Sequence, residues 1–475
     1  MWECGNRTAI LDKNGDHTGE IMEQKDKRDA LMNREILQKI ASLEERVKTD
    51  PLTGLLSFSR FKEEVEYLMK EGYAKDHLMI YTDFRGFKYF NQKYGYLTGD
   101  QLLKAFSKYI IEMMPEGMES CFTRIVSDQF LLLMPCKYGE GETCEIIKRI
   151  NREFVRRMNL RFPQSNMIIR TGVYKIRTDC PGVSSAIDAA NYARKQINSN
   201  NGECVVVYDE RLRKQQHLEN EIMNGLDDAL LKREFQVYFQ PKIALDDYRI
   251  VGAEALVRWI RPDGTMLRPD FFIPLYEKNG RIAELDYYIF EEVASFIQKN
   301  QREGRKLVPI SVNVSALHCM NEQAAEKYLQ ILKKYEVDPG MLEMELTETS
   351  TVLQYDWINR LFGRFRKAGF RTSLDDFGSG YSILNLIMDV PLDVVKLDRI
   401  FIEKCDKSER EIQFLTQIIT MLKNLGFYVL CEGVEKEEQA LILKKAGCDG
   451  IQGNWFSEAV PADQFEKLLN VPVTL

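Results

Sequence analysis

The sequence predicts an α/β protein with two folded domains, an α+β domain over residues 50–208 and a (β/α)8 barrel over residues 222–475. Residues 50–208 mix strand-like and helical stretches, and two strand-like runs flank a short turn, as in an antiparallel sheet. Residues 222–475 contain eight strand-like runs separated mostly by amphipathic stretches, which is the pattern of a (β/α)8 barrel. A charged stretch at residues 209–221 lies between the two patterns and predicts a helical linker.

The composition excludes several classes of protein. A net charge of −7 gives no electrostatic reason to expect binding to nucleic acid or to an anionic membrane. No run approaches the ~18–20 uncharged apolar residues of a membrane span, and the polar start of the chain is unlike a signal peptide. The 10 cysteines include no C-x-x-C pair, which is typical of reduced thiols. We therefore expect a cytoplasmic protein without a membrane span.

The first 49 residues carry two patterns. Residues 1–30 are polar and aperiodic, and their run ILDKNGDHTGEIMEQKDKRD resembles the tail of a PAS sensor domain, so we expect a sensor remnant. Apolar residues at helical spacing then predict a signalling or coiled-coil helix over residues 31–49: Ile36, Ile40, Leu43 and Val47. This helix could pair with a second copy of the chain or pack on its own domain. It ends before Pro51, because the residue preceding a proline avoids helical geometry.

The first domain is predicted from the following elements. LMIYTDF (78–84) and NMIIRTGVY (166–174) predict strands, and CVVVY (204–208) predicts the closing strand. CFTRIV and FLLLMP flank Ser127-Asp128-Gln129, which predicts a hairpin. Helical spacing predicts helices over residues 101–114 and 184–197.

Eight runs predict the barrel strands: FQVYFQP, IVGAEALVRW, LVPISVNVS, LEMELTE, RTSLDDF, DVVKLD, FYVLCEGV and GIQGNWF. Helices are expected between most of them, at residues 284–299, 322–335, 354–368, 410–425 and 436–446. Polar residues lie at or near the carboxyl ends of seven runs: Glu254, Asn313, Glu345, Asp375 with Asp376, Lys396, Glu432 and Gln452. One such acid could be a helix cap or a surface salt bridge, but seven successive strands are hard to explain in that way. We expect one site, because these strand ends converge on the face that carries active sites in barrels.

The residue types in this set select a chemistry. Five carboxylates and one amide oxygen, without His or Cys, favour Mg²⁺ or Mn²⁺ over Zn²⁺ or copper. Because Asp375 and Asp376 are adjacent, one of them could serve two cations, as in two-metal cleavage of phosphodiesters. Without cations the facing carboxylates would repel one another. Lys396 could position the attacking water and stabilise developing charge, or it could be a counter-ion of the acids.

Residues 219–475 resemble the EAL family of cyclic-di-GMP phosphodiesterases, which is named for the motif present here as Glu254-Ala255-Leu256. The family's order and spacing recur in YFQP, EALVRW, FIPLYEKNG, SVNVS, ELTE, DDFGSGYS, VVKLD, CEGVE and IQGNWF. The resemblance implies hydrolysis of cyclic-di-GMP to linear pGpG, two Mg²⁺ or Mn²⁺ ions per barrel, and a homodimer.

The resemblance also implies a role for individual residues. One cation would be bound by Glu254, Asn313, Glu345 and Asp375, and the other by Asp375, Asp376 and Glu432. Lys396 would position the attacking water, and Glu348 would hold the loop from Asp376 to Ser382, which links the metal site to the dimer interface in this family. Gln240, Arg258 and Gln452 would contact the substrate, although Arg258 could instead form a salt bridge beneath the site. The family usually has a second Ser after Ser382, whereas this chain has Ile383, which removes no metal ligand.

Residues 50–208 resemble the GGDEF family of diguanylate cyclases in DPLTGL (50–55), the frame from Asp83 to Asn91, TGD (98–100) and Asp188, Tyr192 and Lys195. The family's Gly-Gly-Asp-Glu-Phe signature is VSDQF (126–130) here, its second metal acid is Arg85, and its inhibitory Arg-x-x-Asp motif is GMES (117–120). Val126 and Ser127 obstruct a close approach of the backbone to GTP, and Gln129 cannot carry negative charge. We therefore expect a catalytically inactive domain.

Some residues of the cyclase family nevertheless remain: Asp83, Asn91, Asp100 and Lys195. They could retain weak GTP binding that regulates the barrel, or only support the fold, with Asp100 in the turn that opens the helix at 101–114. Together the resemblances predict an active phosphodiesterase with a regulatory or dimerisation domain. The alternative is a catalytically silent receptor or adaptor for cyclic-di-GMP. A cyclase or bifunctional enzyme would turn over GTP, and the VSDQF segment argues against that.

Overall fold

The structure is a computed structural model that describes residues 48–113, 120–165, 167–197, 204–321, 323–347, 355–378, 387–405 and 408–470. It divides into two compact units, which meet in the sequence between His217 and Leu218. The expected sensor remnant and all but the last two residues of the expected helix at 31–49 lie outside the described residues. Within the described ranges, no helix has both the length and the apolar character needed to cross a membrane.

The first unit has the predicted α+β architecture. Its strands are β1 (His77–Arg85), β2 (Cys121–Val126), β3 (Gln129–Pro135), β4 (Ile168–Lys175) and β5 (Val205–Val207). Its helices are α1 (Phe58–Lys70), α2 (Phe87–Tyr94), α3 (Tyr96–Met113), α4 (Glu140–Arg161) and α5 (Val183–Lys195). The sheet order is β2-β3-β1-β4-β5, and its pairs are antiparallel except β4 with β5. Helix α6 (Glu210–Asn224) follows, where the charged linker was expected.

Helix α3 begins at Tyr96, five residues before the predicted helix, so Asp100 lies within the helix rather than in a turn that opens it. Gly99, a residue of low helix propensity, thus lies inside the helix, where it serves close packing. A Cβ atom at Gly99 would lie only 1.9 Å from Oδ1 of Asn91 on the neighbouring helix α2. Gly99 therefore allows the Asn91 side chain to approach helix α3 closely.

The second unit contains the eight expected strands, with additional short strands at two places. The strands are β6 (Phe235–Ala244), β7 (Ile250–Ile260), β8 (Met266–Leu267), β9 (Ile310–Asn313), β10 (Leu342–Thr347), β11 (Arg371–Phe377), β12 (Val394–Leu397), β13 (Tyr428–Cys431), β14 (Gly450–Ile451) and β15 (Val460–Pro461). The helices are α7 (Leu226–Leu231), α8 (Pro269–Asn279), α9 (Ile282–Arg302), α10 (Ala324–Tyr335), α11 (Tyr355–Ala368), α12 (Ile402–Cys405), α13 (Glu409–Asn424), α14 (Glu437–Ala446) and α15 (Ala462–Asn470).

Strands β6, β7 and β9 to β14 close into a barrel, because β6 pairs with both β7 and β14. Strand β7 and strands β9 to β14 run parallel to one another, whereas β6 runs antiparallel to its two barrel neighbours. The reason is the connection between β6 and β7, residues 245–249, which is too short for the crossover that a parallel pair requires. The fold is thus a TIM-like barrel with one reversed strand.

Alternation along the strands separates the apolar core from the polar interior of the barrel. In β10, Leu342, Met344 and Leu346 belong to the hydrophobic core, whereas Glu343 and Glu345 alternate with them and face the barrel interior. Successive side chains of a strand point to opposite faces, so one run serves both environments. The apolar faces of the strands and the surrounding helices form a continuous core, which leaves the interior available for charged groups.

Candidate metal centre of the barrel

The carboxyl ends of the barrel strands bring the predicted acidic residues together. One group comprises Glu254, Glu345 and Asp375, and a second comprises Asp375, Asp376 and Glu432. Within each group, one carboxylate oxygen from each residue lies within 4.8 Å of those of the other two. Asn313 joins the first group through its amide nitrogen, which donates to Glu254 Oε1 at 3.1 Å. Asp375 therefore lies between two oxygen-rich clusters, as expected if one carboxylate serves two cations.

Lys396 is fully buried at the centre of these clusters. Its Nζ atom lies within 3.1 Å of four carboxylate oxygens, those of Glu254, Glu345, Asp375 and Glu432. Burial alone would lower the pKa of Lys396, but the surrounding carboxylates raise it well above its usual range. The side chain therefore remains an ammonium ion.

The acids respond differently to their surroundings. Burial raises the pKa of Asp375 well above its usual range, and burial raises that of Glu432 to about 7, although Lys396 lies beside both. Burial also raises the pKa of Asp376, and Asp398 adds to this. In Glu345 the effect of burial is outweighed by two ammonium groups, Lys242 and Lys396, which lower the pKa to about 2. The carboxylates of this set outnumber the ammonium groups of Lys242 and Lys396 that lie among them.

This charge imbalance fits divalent cations. Six carboxylates and two ammonium groups occupy the connected set: Glu254, Glu343, Glu345, Asp375, Asp376, Glu432, Lys242 and Lys396. The carboxylates of this set therefore outnumber its ammonium groups. The donors are oxygens, the ligands that Mg²⁺ and Mn²⁺ prefer. The residues present therefore fit the metals that the sequence predicts.

Two of the predicted substrate residues lie beside the metal centre. The amide nitrogen of Gln452 donates to Gln240 Oε1 at 2.9 Å and to Glu254 Oε2 at 2.7 Å. Gln240 in turn donates to the Ser457 carbonyl at 3.3 Å. Among the described residues, the buried Oε1 atom of Gln452 has no hydrogen-bond partner. This atom can accept a hydrogen bond from a bound molecule.

Arg258 lies on the same face of β7 as Glu254, four residues closer to the carboxyl end. Its guanidinium group donates to the Val257 carbonyl at 2.9 Å and lies over the Tyr238 ring, 5.7 Å from the centroid. Burial lowers the pKa of Arg258. No salt bridge of Arg258 is present within the described ranges, so its charge is available to an anion.

The last residues of β11 and the start of the following loop have a constrained backbone. Asp376 has a left-handed φ of 56°, and Gly378 has a φ of 106°. A Cβ atom at Gly378 would lie 2.2 Å from the Phe401 ring, so glycine is required there. Residues 379–386, including Ile383, and residue Glu348 lie outside the described residues. The predictions about them are therefore untested.

Two members of the charged set were not predicted from the sequence: Lys242 in β6 and its partner Glu343 in β10. The Nζ atom of Lys242 lies 2.9 Å from Glu343 Oε1 and 2.7 Å from Glu345 Oε1, and Lys242 is 5% exposed. A lysine two residues after Gln240 in an otherwise apolar run was the available signal, since side chains two apart point to the same face of a strand.

In the first unit, the retained acid of the cyclase frame is already paired. Arg170 donates to Asp83 Oδ1 at 2.9 Å, and Arg194 also forms a salt bridge with Asp83. The amide oxygen of Gln129 accepts a hydrogen bond of 2.6 Å from the Tyr81 hydroxyl. Within the described part of this unit, no group of three His, Cys, Asp or Glu side chains is close enough to hold a metal ion.

Two family models match the chain. The EAL domain model matches residues 223–459, and the model described as diguanylate cyclase, GGDEF domain, matches residues 47–203. Together these matches cover most of the sequence. The chain therefore belongs to the family of proteins in which a GGDEF domain is followed by an EAL domain, as its motifs predict.

Several known proteins are similar over most of the chain. Signaling protein YkoW of Bacillus subtilis is 27% identical over 396 residues, which cover 82% of this chain and 49% of YkoW. Cyclic di-GMP phosphodiesterase NbdA of Pseudomonas aeruginosa is 28% identical over 436 residues, which cover 90% of this chain and 55% of NbdA. The chain thus spans about half the length of these curated relatives. The S helix-GGDEF-EAL structure of Vibrio cholerae LapD, bound to c-di-GMP, shares the fold with a TM-score of 0.53 and 19% sequence identity. The match covers 88% of this chain and 98% of the LapD chain.

Proposed function

We propose that the barrel hydrolyses cyclic-di-GMP to linear pGpG with two bound Mg²⁺ or Mn²⁺ ions. The observation that carries this proposal is the pair of oxygen clusters that contain Asp375 in common at the carboxyl ends of the strands. The EAL match and the similarity to NbdA, a protein named as a cyclic-di-GMP phosphodiesterase, supply the substrate class.

In this proposal, Glu254, Asn313, Glu345 and Asp375 hold one cation, while Asp375, Asp376 and Glu432 hold the other. Bound divalent cations supply charge neutralisation at the phosphoryl group and activation of water. Water adds to phosphorus, the bond from phosphorus to one 3′ oxygen breaks, and that oxygen takes up a proton. As an ammonium ion, Lys396 can donate a hydrogen bond to the water and stabilise negative charge.

Substrate binding is assigned to groups next to this centre. The unpaired oxygen of Gln452 can accept a hydrogen bond from the nucleotide, and Gln240 holds the other end of the Gln452 amide. Arg258 is proposed to contact a phosphate, because its charged guanidinium group can donate two parallel hydrogen bonds to one phosphate group. Glu348 is proposed to hold the loop after Asp376.

We further propose that the GGDEF domain is catalytically inactive and serves as a regulatory or dimerisation module of a cytoplasmic homodimer. The pairing of Asp83 with Arg170 and Arg194 supports this, because two cations beside the retained acid oppose the approach of a metal ion. Weak GTP binding through the other retained residues is an additional proposal. Equilibrium GTP titration and light scattering of the purified chain test the GTP and homodimer assignments.

The decisive experiment is hydrolysis of cyclic-di-GMP by the purified chain, with pGpG followed by chromatography. Formation of pGpG should require Mg²⁺ or Mn²⁺, should stop in EDTA, and should be lost in Glu254→Ala without loss of fold. A GTP effect on the rate would assign a regulatory role to the first domain. Binding of cyclic-di-GMP without turnover in the folded, metal-loaded wild type would instead establish the silent receptor or adaptor.

A further inference from the structure

We propose that Lys242 is a positioning residue, which orients Glu345 toward the metal centre from the opposite end of the barrel. This inference rests on the proposed function, because Glu345 matters as a cation ligand only if the barrel binds cations. It concerns a lysine that contacts neither proposed cation cluster except through Glu345.

The geometry of Glu345 carries the inference. Its Oε1 atom lies 2.7 Å from Lys242 Nζ, and its Oε2 atom lies 3.0 Å from Lys396 Nζ. The two oxygens of one fully buried carboxylate are thus divided between two ammonium groups. Because Lys242 fixes Oε1, the carboxylate cannot rotate without losing a charged hydrogen bond, and Oε2 stays directed at Lys396 and the cation cluster.

The same contacts connect the two ends of the barrel interior. Glu343, Lys242, Glu345 and Lys396 form a row in which negative and positive charges alternate. Lys242 and Glu343 line a cavity of about 730 Å³ at the amino ends of the strands, together with Arg371 and Tyr428. The row therefore runs from this cavity to the metal centre at the carboxyl ends.

Removal of the Lys242 ammonium would leave Glu343 and Glu345 with one buried cation fewer. Without this donor to Oε1 the Glu345 carboxylate could rotate, and Oε2 would no longer be held in its direction toward the cation cluster. Groups that orient metal ligands in this way typically change metal affinity or activity by about 10–100-fold when they are removed. We expect a loss of that size in Mn²⁺ affinity.

The test compares Mn²⁺ binding by calorimetry in the wild-type chain, Lys242→Met and Lys423→Met, without substrate. Lys423 lines the same cavity but pairs with Asp449 at 2.7 Å and does not contact Glu345, so it is the matched control. The inference predicts about 10–100-fold weaker Mn²⁺ binding in Lys242→Met and wild-type binding in Lys423→Met. Wild-type affinity in a folded Lys242→Met variant, or an equal loss in both variants, would overturn it.

A second variant covers the case in which Lys242→Met does not fold. The double variant Lys242→Met/Glu343→Gln removes one buried positive and one buried negative charge, so it retains the charge balance while Glu345 still lacks its Oε1 donor. It should fold and still bind Mn²⁺ weakly; wild-type affinity in this variant would also overturn the inference. Absence of pGpG formation by the wild type would reject the proposed function alone, since the metal affinities are measured independently of turnover.

Discussion

At the scale of single residues, the contacts of Lys396 exceed what one ammonium group can satisfy. Four carboxylate oxygens lie within 3.1 Å of Nζ, but an ammonium group has only three protons to donate. If cations bind the same carboxylates, they compete with Lys396 for these oxygens. The ammonium group then has hydrogen bonds available for water or for the developing charge on the phosphoryl group.

Lys396→Met tests this assignment. We expect kcat for cyclic-di-GMP to fall by roughly 100-fold or more, because the variant loses a charged donor that acts during the reaction. KM should change by only a few-fold, since the proposed substrate contacts remain. Steady-state kinetics at saturating Mn²⁺ measure both constants. Equal losses in substrate affinity and in kcat would show that Lys396 is only a counter-ion of the acids.

At the scale of elements, the hairpin of β2 and β3 explains why one substitution should not restore a cyclase. Ser127 in its turn has a left-handed φ of 51°, a conformation that glycine adopts without strain. Asp128 is fixed by the Phe84 backbone N–H, which donates to its Oδ2 at 3.0 Å. The turn therefore keeps a defined shape without glycines, but side chains occupy the positions where the family has none.

Gln129→Glu should consequently yield no detectable cyclic-di-GMP from GTP and Mg²⁺. The substitution restores a carboxylate, but Val126 and Ser127 still obstruct the turn and Asp83 remains paired with two arginines. The assay is product detection by chromatography, with an active cyclase as positive control. Synthesis of cyclic-di-GMP by this variant would contradict the proposed loss of function.

The loop before α1 provides a prediction about pH. Asp50 pairs with Arg124 of β2 at 2.8 Å and accepts a hydrogen bond of 2.8 Å from the Thr53 backbone N–H. Burial alone would raise the pKa of Asp50, but the hydrogen bonds from Arg124 and Thr53 lower it below its ordinary value. A carboxylate with a lowered pKa stabilises the fold above its ordinary pKa, and this contribution disappears as pH falls through the folded value.

Asp50→Asn should therefore lower the free energy of unfolding of the first unit by about 1–2 kcal/mol at pH 7. The difference from the wild type should shrink between pH 7 and an acidic pH below the lowered pKa of folded Asp50, because the wild-type side chain is then uncharged as well. Urea titrations followed by circular dichroism at both pH values measure it. The control Glu63→Gln removes an exposed partner of Arg60 and should leave the free energy of unfolding nearly unchanged. An equal loss of stability in both variants, or a loss that does not depend on pH, would contradict the role assigned to the Asp50 carboxylate.

At the scale of the whole molecule, sequence patterns predicted both fold classes, because alternation and helical spacing report directly on burial. They did not predict the reversed strand β6, since the direction of a strand depends on its connection, and residues 245–249 connect β6 to β7 as a hairpin. They predicted the acids of the site from strand ends, but not Lys242, whose partners Glu343 and Glu345 are about a hundred residues away. The helix start at Tyr96 was missed because Gly99, a residue of low helix propensity, lies inside helix α3, where it allows a close approach of Asn91.

The two units have separate hydrophobic cores, and the candidate metal centre lies in the barrel. This arrangement leads to a prediction for thermal unfolding. The hydrophobic clusters of the two units have no buried residue in common. Three of the four tryptophans, Trp259, Trp357 and Trp455, belong to the barrel, and Trp2 lies outside the described residues. Fluorescence therefore reports mainly on the barrel, while far-ultraviolet circular dichroism reports on both units.

Mn²⁺ should therefore raise the temperature of the fluorescence transition and leave the remaining circular dichroism transition unchanged. At 100 times its Kd, a cation that binds only the folded barrel adds about 2.7 kcal/mol to its free energy of unfolding. EDTA should reverse the shift, and Asp375→Asn should greatly reduce it, because Asp375 belongs to both oxygen clusters. A single transition, or equal shifts of two transitions, would show that the units do not unfold independently. A wild-type shift in Asp375→Asn would place the Mn²⁺ site elsewhere in the molecule.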